Sequence, residues 1–201
     1  MFVKICGVRN EPDVSAAVAA GADAVGFVFT KSIRHIDVEE ARRLISATPS
    51  NVLTVGVFSG IAAEEAGEMA LRAGVDAIQL HGPYPRAAFQ QLAGSRIVLV
   101  RATTLAARPD LRVGAYGEDM LLLDAPIAGA GERWDLSLLG KGRPRGRWLL
   151  AGGLTPDNVA ASIAVARPWG VDVSSGVECR RGVKDHDLIR RFVAAAREAS
   201  A

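Results

Sequence analysis

Eight short runs of β-branched and aliphatic residues recur along the chain, each followed by a longer Ala-rich or turn-rich segment. They fall at 2–6, 24–29, 53–58, 77–81, 97–102, 120–124, 148–152 and 171–174. A strand period that keeps giving way to a helical period selects a parallel sheet covered by crossover helices. Eight such units with no linker between them predict an α/β fold, a single compact (β/α)8 TIM barrel spanning residues 1–201 as one domain. The runner-up is an open doubly wound sheet. That fold brings a Gly-rich fingerprint after its first strand, and G-x-G-x-x-G does not occur there.

The helical segments carry their own punctuation. DVEE at 37–40 has the form of a capping box opening the second helix. Thr155 before Pro156 predicts a cap followed by proline at the first helical position. Gly21, Gly74 and Gly94 fall where helices should stop. Segments 103–118 and 135–146 are less regular and predict short helices only.

Composition narrows the partners. The net charge is +2, from 24 basic and 22 acidic residues closely interspersed. No electrostatic footprint for nucleic acid or an anionic membrane follows from that balance. KGRPRGR at 141–147 reads as a solvated loop. No apolar run approaches the roughly 20 residues of a membrane span. The chain moves directly into a strand pattern, without a signal peptide. The expectation is a cytoplasmic protein, monomer or homodimer, with Cys6 and Cys179 both reduced and no C-x-x-C metal or redox motif.

Some strands carry polar residues on one face. Residues two apart on a strand share a face, so Lys4 pairs with Cys6, Gln79 with His81, and Asp172 with Ser174, each opposite an aliphatic face. The aliphatic face suits the helix shell, and the polar face then lines the barrel. Cys6, His81, Arg101, Asp124 and Ser174 all lie at or near the last residue of a predicted strand. In this fold the C-terminal strand ends form the active-site mouth. Each residue alone has a plainer explanation, and only their shared location points to chemistry. Two Gly-rich turns, AGGL at 151–154 and SSGVE at 174–178, follow strands seven and eight, where barrels commonly hold phosphate.

The motifs KICG (4–7), GFVF (26–29), S-x-R (32–34), VGVF (55–58) and QLHG (79–82) resemble those of phosphoribosylanthranilate isomerases. So do LLLD (121–124), AGGL with Asn158, VDVSSGVE (171–178) and G-x-KD (182–185), in order. The resemblance implies the Amadori rearrangement of N-(5-phosphoribosyl)anthranilate in tryptophan biosynthesis, on a small phosphorylated substrate and without cofactor or metal. It implies Asp124 as general acid and Cys6 as general base. Arg34 would meet the anthranilate carboxylate and His81 would position the substrate. Gly152, Gly153, Ser174, Ser175 and Gly176 would hold the phosphate, with Asp172 organising their loop. A base thiol calls for a lowered pKa, and Lys4 is the expected source of stabilising charge. One stretch departs from the family: where GGTGxxFDW is usual, this chain reads AGAGERWDLS at 128–137, with Ala130 for Thr and Leu136 after Asp135. The departure implies altered loop closure with the reaction type unchanged.

Two other readings compete. A histidine-pathway or dual-substrate phosphoribosyl isomerase would place Asp at the end of strand one, where this chain has Cys6. A catalytically silent sugar-phosphate binder would have no reason to keep both Cys6 and Asp124.

Overall fold

In a computed structural model, which describes residues 1–94, 96–125, 136–139 and 142–199, eight parallel strands close into a barrel. They are β1 (Phe2–Cys6), β2 (Ala24–Val28), β3 (Leu53–Phe58), β4 (Ala77–His81), β5 (Val98–Thr104), β6 (Met120–Asp124), β7 (Trp148–Leu150) and β8 (Gly170–Val173). The closing seam pairs β1 with β8, Lys4 opposite Asp172. Outside lie α1 (Glu11–Ala19), α2 (Val38–Ala47), α3 (Ala63–Ala73), α4 (Arg86–Leu92), α5 (Val159–Ala166) and α6 (His186–Glu198). After β5 and β6 the described helical structure is 3-10 only, at Leu105–Ala107 and Leu136–Leu139, as the irregular patterns there predict. A third 3-10 turn, Ser175–Val177, follows β8 and leads into an antiparallel hairpin, β9 (Glu178–Arg180) and β10 (Val183–Lys184). Most of the departing stretch 128–137 lies outside the described residues.

Alternation sorts the side chains. Val3, Ile5, Val25, Phe27, Ile78, Leu80, Leu121 and Leu123 face outward and are buried against Val14, Ala17, Leu44, Ala66, Phe89 and Phe192 of the helices. Each such large side chain contributes about 1.5–3 kcal/mol when buried. Inside, the register stacks residues in tiers of four drawn from alternate strands. Lys4, Val55, Val100 and Leu149 form one tier. Gly26, Gln79, Leu122 and Asp172 lie above it, then Cys6, Val57, Ala102 and Ala151. The top tier is Val28, His81, Asp124 and Ser174. The tier at the C-terminal mouth is thus the most polar of the four.

Three local expectations are corrected. Asp37 does stand at the N-cap of α2, but its side chain makes no capping bond. Burial of Ala41 and Leu44 holds that helix instead, with Glu39 and Glu40 favourably placed in its first turn. Thr155 and Pro156 do not open α5, which starts at Val159. Asn158 accepts from the Thr155 N–H and donates to the Gly153 carbonyl, spending the residues between on a turn. Arg101 does not reach the mouth: β5 turns Val98, Val100 and Ala102 inward, which sends Arg101 out of the barrel. There it is buried against Glu118 (2.8 Å), the Asp110 carbonyl (2.7 Å) and the Tyr116 ring (4.5 Å). Gly21, Gly74 and Gly94 all take positive φ at helix ends, as expected.

Candidate active site

Cys6 ends β1 and Asp124 ends β6, both inward and both buried. Beneath them Lys4 and Asp172 form a buried ion pair at 2.7 Å. The Lys4 ammonium reaches that position by passing Gly26. A Cβ on Gly26 would stand 3.0 Å from the Cys6 sulfur and 3.2 Å from the Lys4 Nζ. The glycine of GFVF thus makes room for the charge under the thiol. Asp172, expected to organise the phosphate loop, is ion-paired with Lys4 and also borders the cavity that loop encloses. Burial works against the Lys4 charge, yet Asp172 and Cys6 together hold its pKa above the ordinary value.

The thiol does not behave as expected. Burial pushes the Cys6 pKa up; Lys4 and Lys184 pull it down without prevailing, and Asp172 works against them. Lys4 is the positive neighbour the sequence predicts, but its charge is largely answered by Asp172. Burial also raises the Asp124 carboxyl, against the opposing pull of His81 and of the Ala125 N–H that Oδ1 accepts at 2.8 Å. A raised carboxyl is what a general acid working near neutrality requires. His81 Nε2 stands 3.6 Å from Asp124 Oδ2, charge-pairing distance rather than a hydrogen bond. Behind it, Gln79 Nε2 lies 3.4 Å from His81 Nδ1.

Beside Asp124 a cavity of about 50 Å³ is lined by Gly152, Gly153, Asp172, Ser174, Ser175 and Gly176, among others. Its two walls interlock. A Cβ on Gly176 would fall 1.7 Å from the Leu154 carbonyl oxygen, and one on Gly152 would fall 2.4 Å from the Ala125 nitrogen. Gly152 and Gly153 also adopt φ of 87° and 63°, which glycine alone takes freely. Among the described residues, the N–H groups of Gly152 and Gly153 have no protein acceptor. Close backbone approach with unspent donors is what an anion needs.

Arg34 lies across the mouth, packed over Gly7, whose missing Cβ would stand 2.6 Å from the Arg34 Cδ. Its guanidinium is gripped side-on by Glu178, with Nε–Oε1 at 2.6 Å and Nη2–Oε2 at 2.9 Å. Lys184 completes this cluster. Its Nζ donates to Glu178 Oε1 (3.1 Å) and to the Ser174 carbonyl (2.9 Å), while Ser174 Oγ donates to the Cys6 carbonyl at 3.0 Å. Sequence reasoning assigned no role to Glu178 or Lys184, although both sit in motifs it singled out, SSGVE and G-x-KD. The two cysteines are free, Cys6 buried and Cys179 exposed.

Comparison with known proteins bears on this geometry. A model of the N-(5'-phosphoribosyl)anthranilate (PRA) isomerase family matches residues 3–195. The N-(5'-phosphoribosyl)anthranilate isomerase of Thermotoga maritima is 43% identical over 197 residues, covering 95% of this chain and 96% of its own. The crystal structure of TrpF from Jonesia denitrificans matches with a TM-score of 0.93 at 47% identity, over 100% of this chain and 98% of that one. A phosphoribosyl anthranilate isomerase in complex with reduced 1-(o-carboxyphenylamino)-1-deoxyribulose 5-phosphate matches with a TM-score of 0.86 at 40% identity, over 98% and 99%.

Proposed function

Because this chain belongs to the N-(5'-phosphoribosyl)anthranilate isomerase family, we propose that Cys6 and Asp124 are the base and acid of its reaction. The chain is an isomerase of tryptophan biosynthesis. It converts N-(5-phosphoribosyl)anthranilate to 1-(2-carboxyphenylamino)-1-deoxyribulose 5-phosphate by Amadori rearrangement. The roles of individual side chains are our reading. Asp124, in its protonated form, gives its proton to the ribose ring oxygen. The C1′–O bond breaks and the anthranilate nitrogen becomes a Schiff base. Cys6, as thiolate, takes the C2′ proton, leaving an enolamine that tautomerises to the ketone.

The observation that carries this reading is the placement of both groups in the top two tiers, over the same buried Lys4–Asp172 pair. Lys4 offsets part of the cost of charging a buried thiol. His81, beside Asp124, steadies the carboxylate left after proton transfer. We place the phosphate at the interlocked turns, on Gly152, Gly153, Ser174, Ser175 and Gly176, and the anthranilate carboxylate at Arg34. A guanidinium fork matches a carboxylate in a way an ammonium does not. Every residue in this reading comes from one chain, so a monomer or a homodimer serves equally. We take 1–201 as one catalytic unit working in the cytoplasm. No helix among the described residues is long and apolar enough to cross a membrane.

The test is a pair of variants, Cys6→Ser and Asp124→Asn, each confirmed as folded by circular dichroism and assayed by loss of substrate fluorescence. Removing a general acid or base costs roughly 10²–10⁴-fold in rate. Either variant keeping more than a tenth of the parental kcat would contradict its assigned role.

A further inference from the structure

Glu178 lies outside the rearrangement described above, yet it is the hub of the best-connected charge cluster at the mouth. Its side chain is 3% exposed. It accepts from Arg34 Nε and Nη2, from Lys184 Nζ and from the Gly182 N–H at 2.9 Å. Burial pushes its carboxyl up, but these donors overcome that and hold it down to about 2. The hairpin supplies the geometry: β9 and β10 pair Glu178 directly with Lys184, and Gly182, at φ 82°, turns the chain between them.

Two consequences follow for Arg34. Glu178 takes the side-on edge of the guanidinium, so rotation about its last bonds is arrested in one plane. The end-on edge is left over, and Nη1 has no protein acceptor among the described residues. The cluster also fails to balance. Arg34 and Lys184 bring two positive charges and Glu178 one negative, while the neighbouring Lys4–Asp172 pair is neutral in sum. A deficit of one negative charge remains beside a free bidentate fork. A single carboxylate satisfies both conditions at once.

We propose that Glu178, held in turn by Lys184, is a positioning residue for substrate recognition, fixing Arg34 so that its end-on edge presents to the anthranilate carboxylate. This rests on the reading of Arg34 given above. The arrangement keeps the guanidinium in place before the ligand arrives, and the ligand's carboxylate supplies the charge the cluster lacks. Glu178 touches neither the sugar nor the reacting atoms; it acts through Arg34.

The experiment compares two probes, reduced 1-(o-carboxyphenylamino)-1-deoxyribulose 5-phosphate and its aniline counterpart without the carboxylate, on the parent and on E178Q, E178D and R34M. Calorimetry gives the affinities, and turnover of the natural substrate gives KM and kcat. Loss of a fixed bidentate partner predicts affinity for the carboxylated probe falling by about tenfold or more in E178Q and E178D. The aniline probe should change by less than about twofold, and KM should rise more than kcat falls. On the R34M background, E178Q should add nothing. Equal losses on both probes, or a Glu178 penalty that persists without Arg34, would overturn the proposal while leaving Arg34 as the carboxylate site. R34M failing to distinguish the two probes would instead remove the Arg34 reading, and this one with it. Should E178Q not fold, E178D keeps the charge, moves it by one methylene and decides the matter alone.

Discussion

In the mechanism proposed above Asp124 keeps a proton where most carboxyls have lost theirs, and this costs the fold stability. Its folded pKa lies above the ordinary 3.8 because burial penalises the charged form. Across the interval between those values the folded state binds more protons than the unfolded state, so stability falls as pH rises through it. Asn has the same shape, accepts the Ala125 N–H equally well and carries no charge. Asp124→Asn should therefore unfold at or above the parental urea midpoint at pH 7, with the difference shrinking below about pH 3.8. A midpoint clearly below the parent at pH 7 would show that the carboxylate stabilises the fold. Cys6 poses the complementary problem, since burial favours its protonated thiol while the proposed chemistry uses the thiolate. Both residues were legible as strand-end groups, because a thiol closes FVKIC and a carboxylate closes MLLLD just where each strand pattern stops. Arg101 was misread for want of one fact. Its face depends on the parity of β5, and the run 97–102 fits either choice until Val98 is seen paired to Ala77.

At the scale of elements, the turns after β7 and β8 form one unit. The Leu154 carbonyl fills the space a Gly176 side chain would occupy, 1.7 Å from the missing Cβ. Because the obstacle is backbone, it cannot rotate away. Gly176→Ala should cost about 1–3 kcal/mol in stability. It should also raise KM for the phosphorylated substrate, by forcing apart the two walls of the proposed phosphate cavity. Urea denaturation and steady-state kinetics check the two halves, and an unchanged KM in a destabilised variant would take the phosphate away from these turns. The Gly-rich turns were visible in the sequence as turns, but their interlock was not, since it depends on how two loops approach in space. The hairpin was hidden for a similar reason. Nothing local in ECRRGVK announces that Glu178 and Lys184 will stand opposite each other. Asn158, noted as part of a motif, displaced the expected start of α5 by satisfying backbone groups through its side chain.

For the whole molecule, the Lys4–Asp172 pair joins the first strand to the last across the seam that closes the barrel. Lys4 is enclosed by the tiers around it, and Asp172 is buried but for the edge that borders the cavity beside Asp124. Removing one partner strands the other charge in the interior, at a cost of about 3–5 kcal/mol. Lys4→Met should thus be strongly destabilised in urea. Adding Asp172→Leu should recover most of the loss, because an apolar pair of similar volume is tolerated where a lone charge is not. A single variant within about 1 kcal/mol of the parent would mean the seam is held by backbone pairing alone. The barrel itself was legible because its eight strand runs need no knowledge of one another. The contents of the interior were legible only in part: the polar faces of β1, β4 and β8 could be read, but which residues share a tier is set by register.

The most direct test of the account is the structure of this chain bound to reduced 1-(o-carboxyphenylamino)-1-deoxyribulose 5-phosphate. The prediction is a sugar lying between two groups, with the Cys6 sulfur about 3–3.5 Å from C2′ on one side. On the other, the Asp124 carboxyl should stand about 2.6–3.2 Å from the hydroxyl that derives from the ring oxygen. A ligand bound with both groups on one side of the sugar, or with either turned away from it, would contradict the assignment of base and acid.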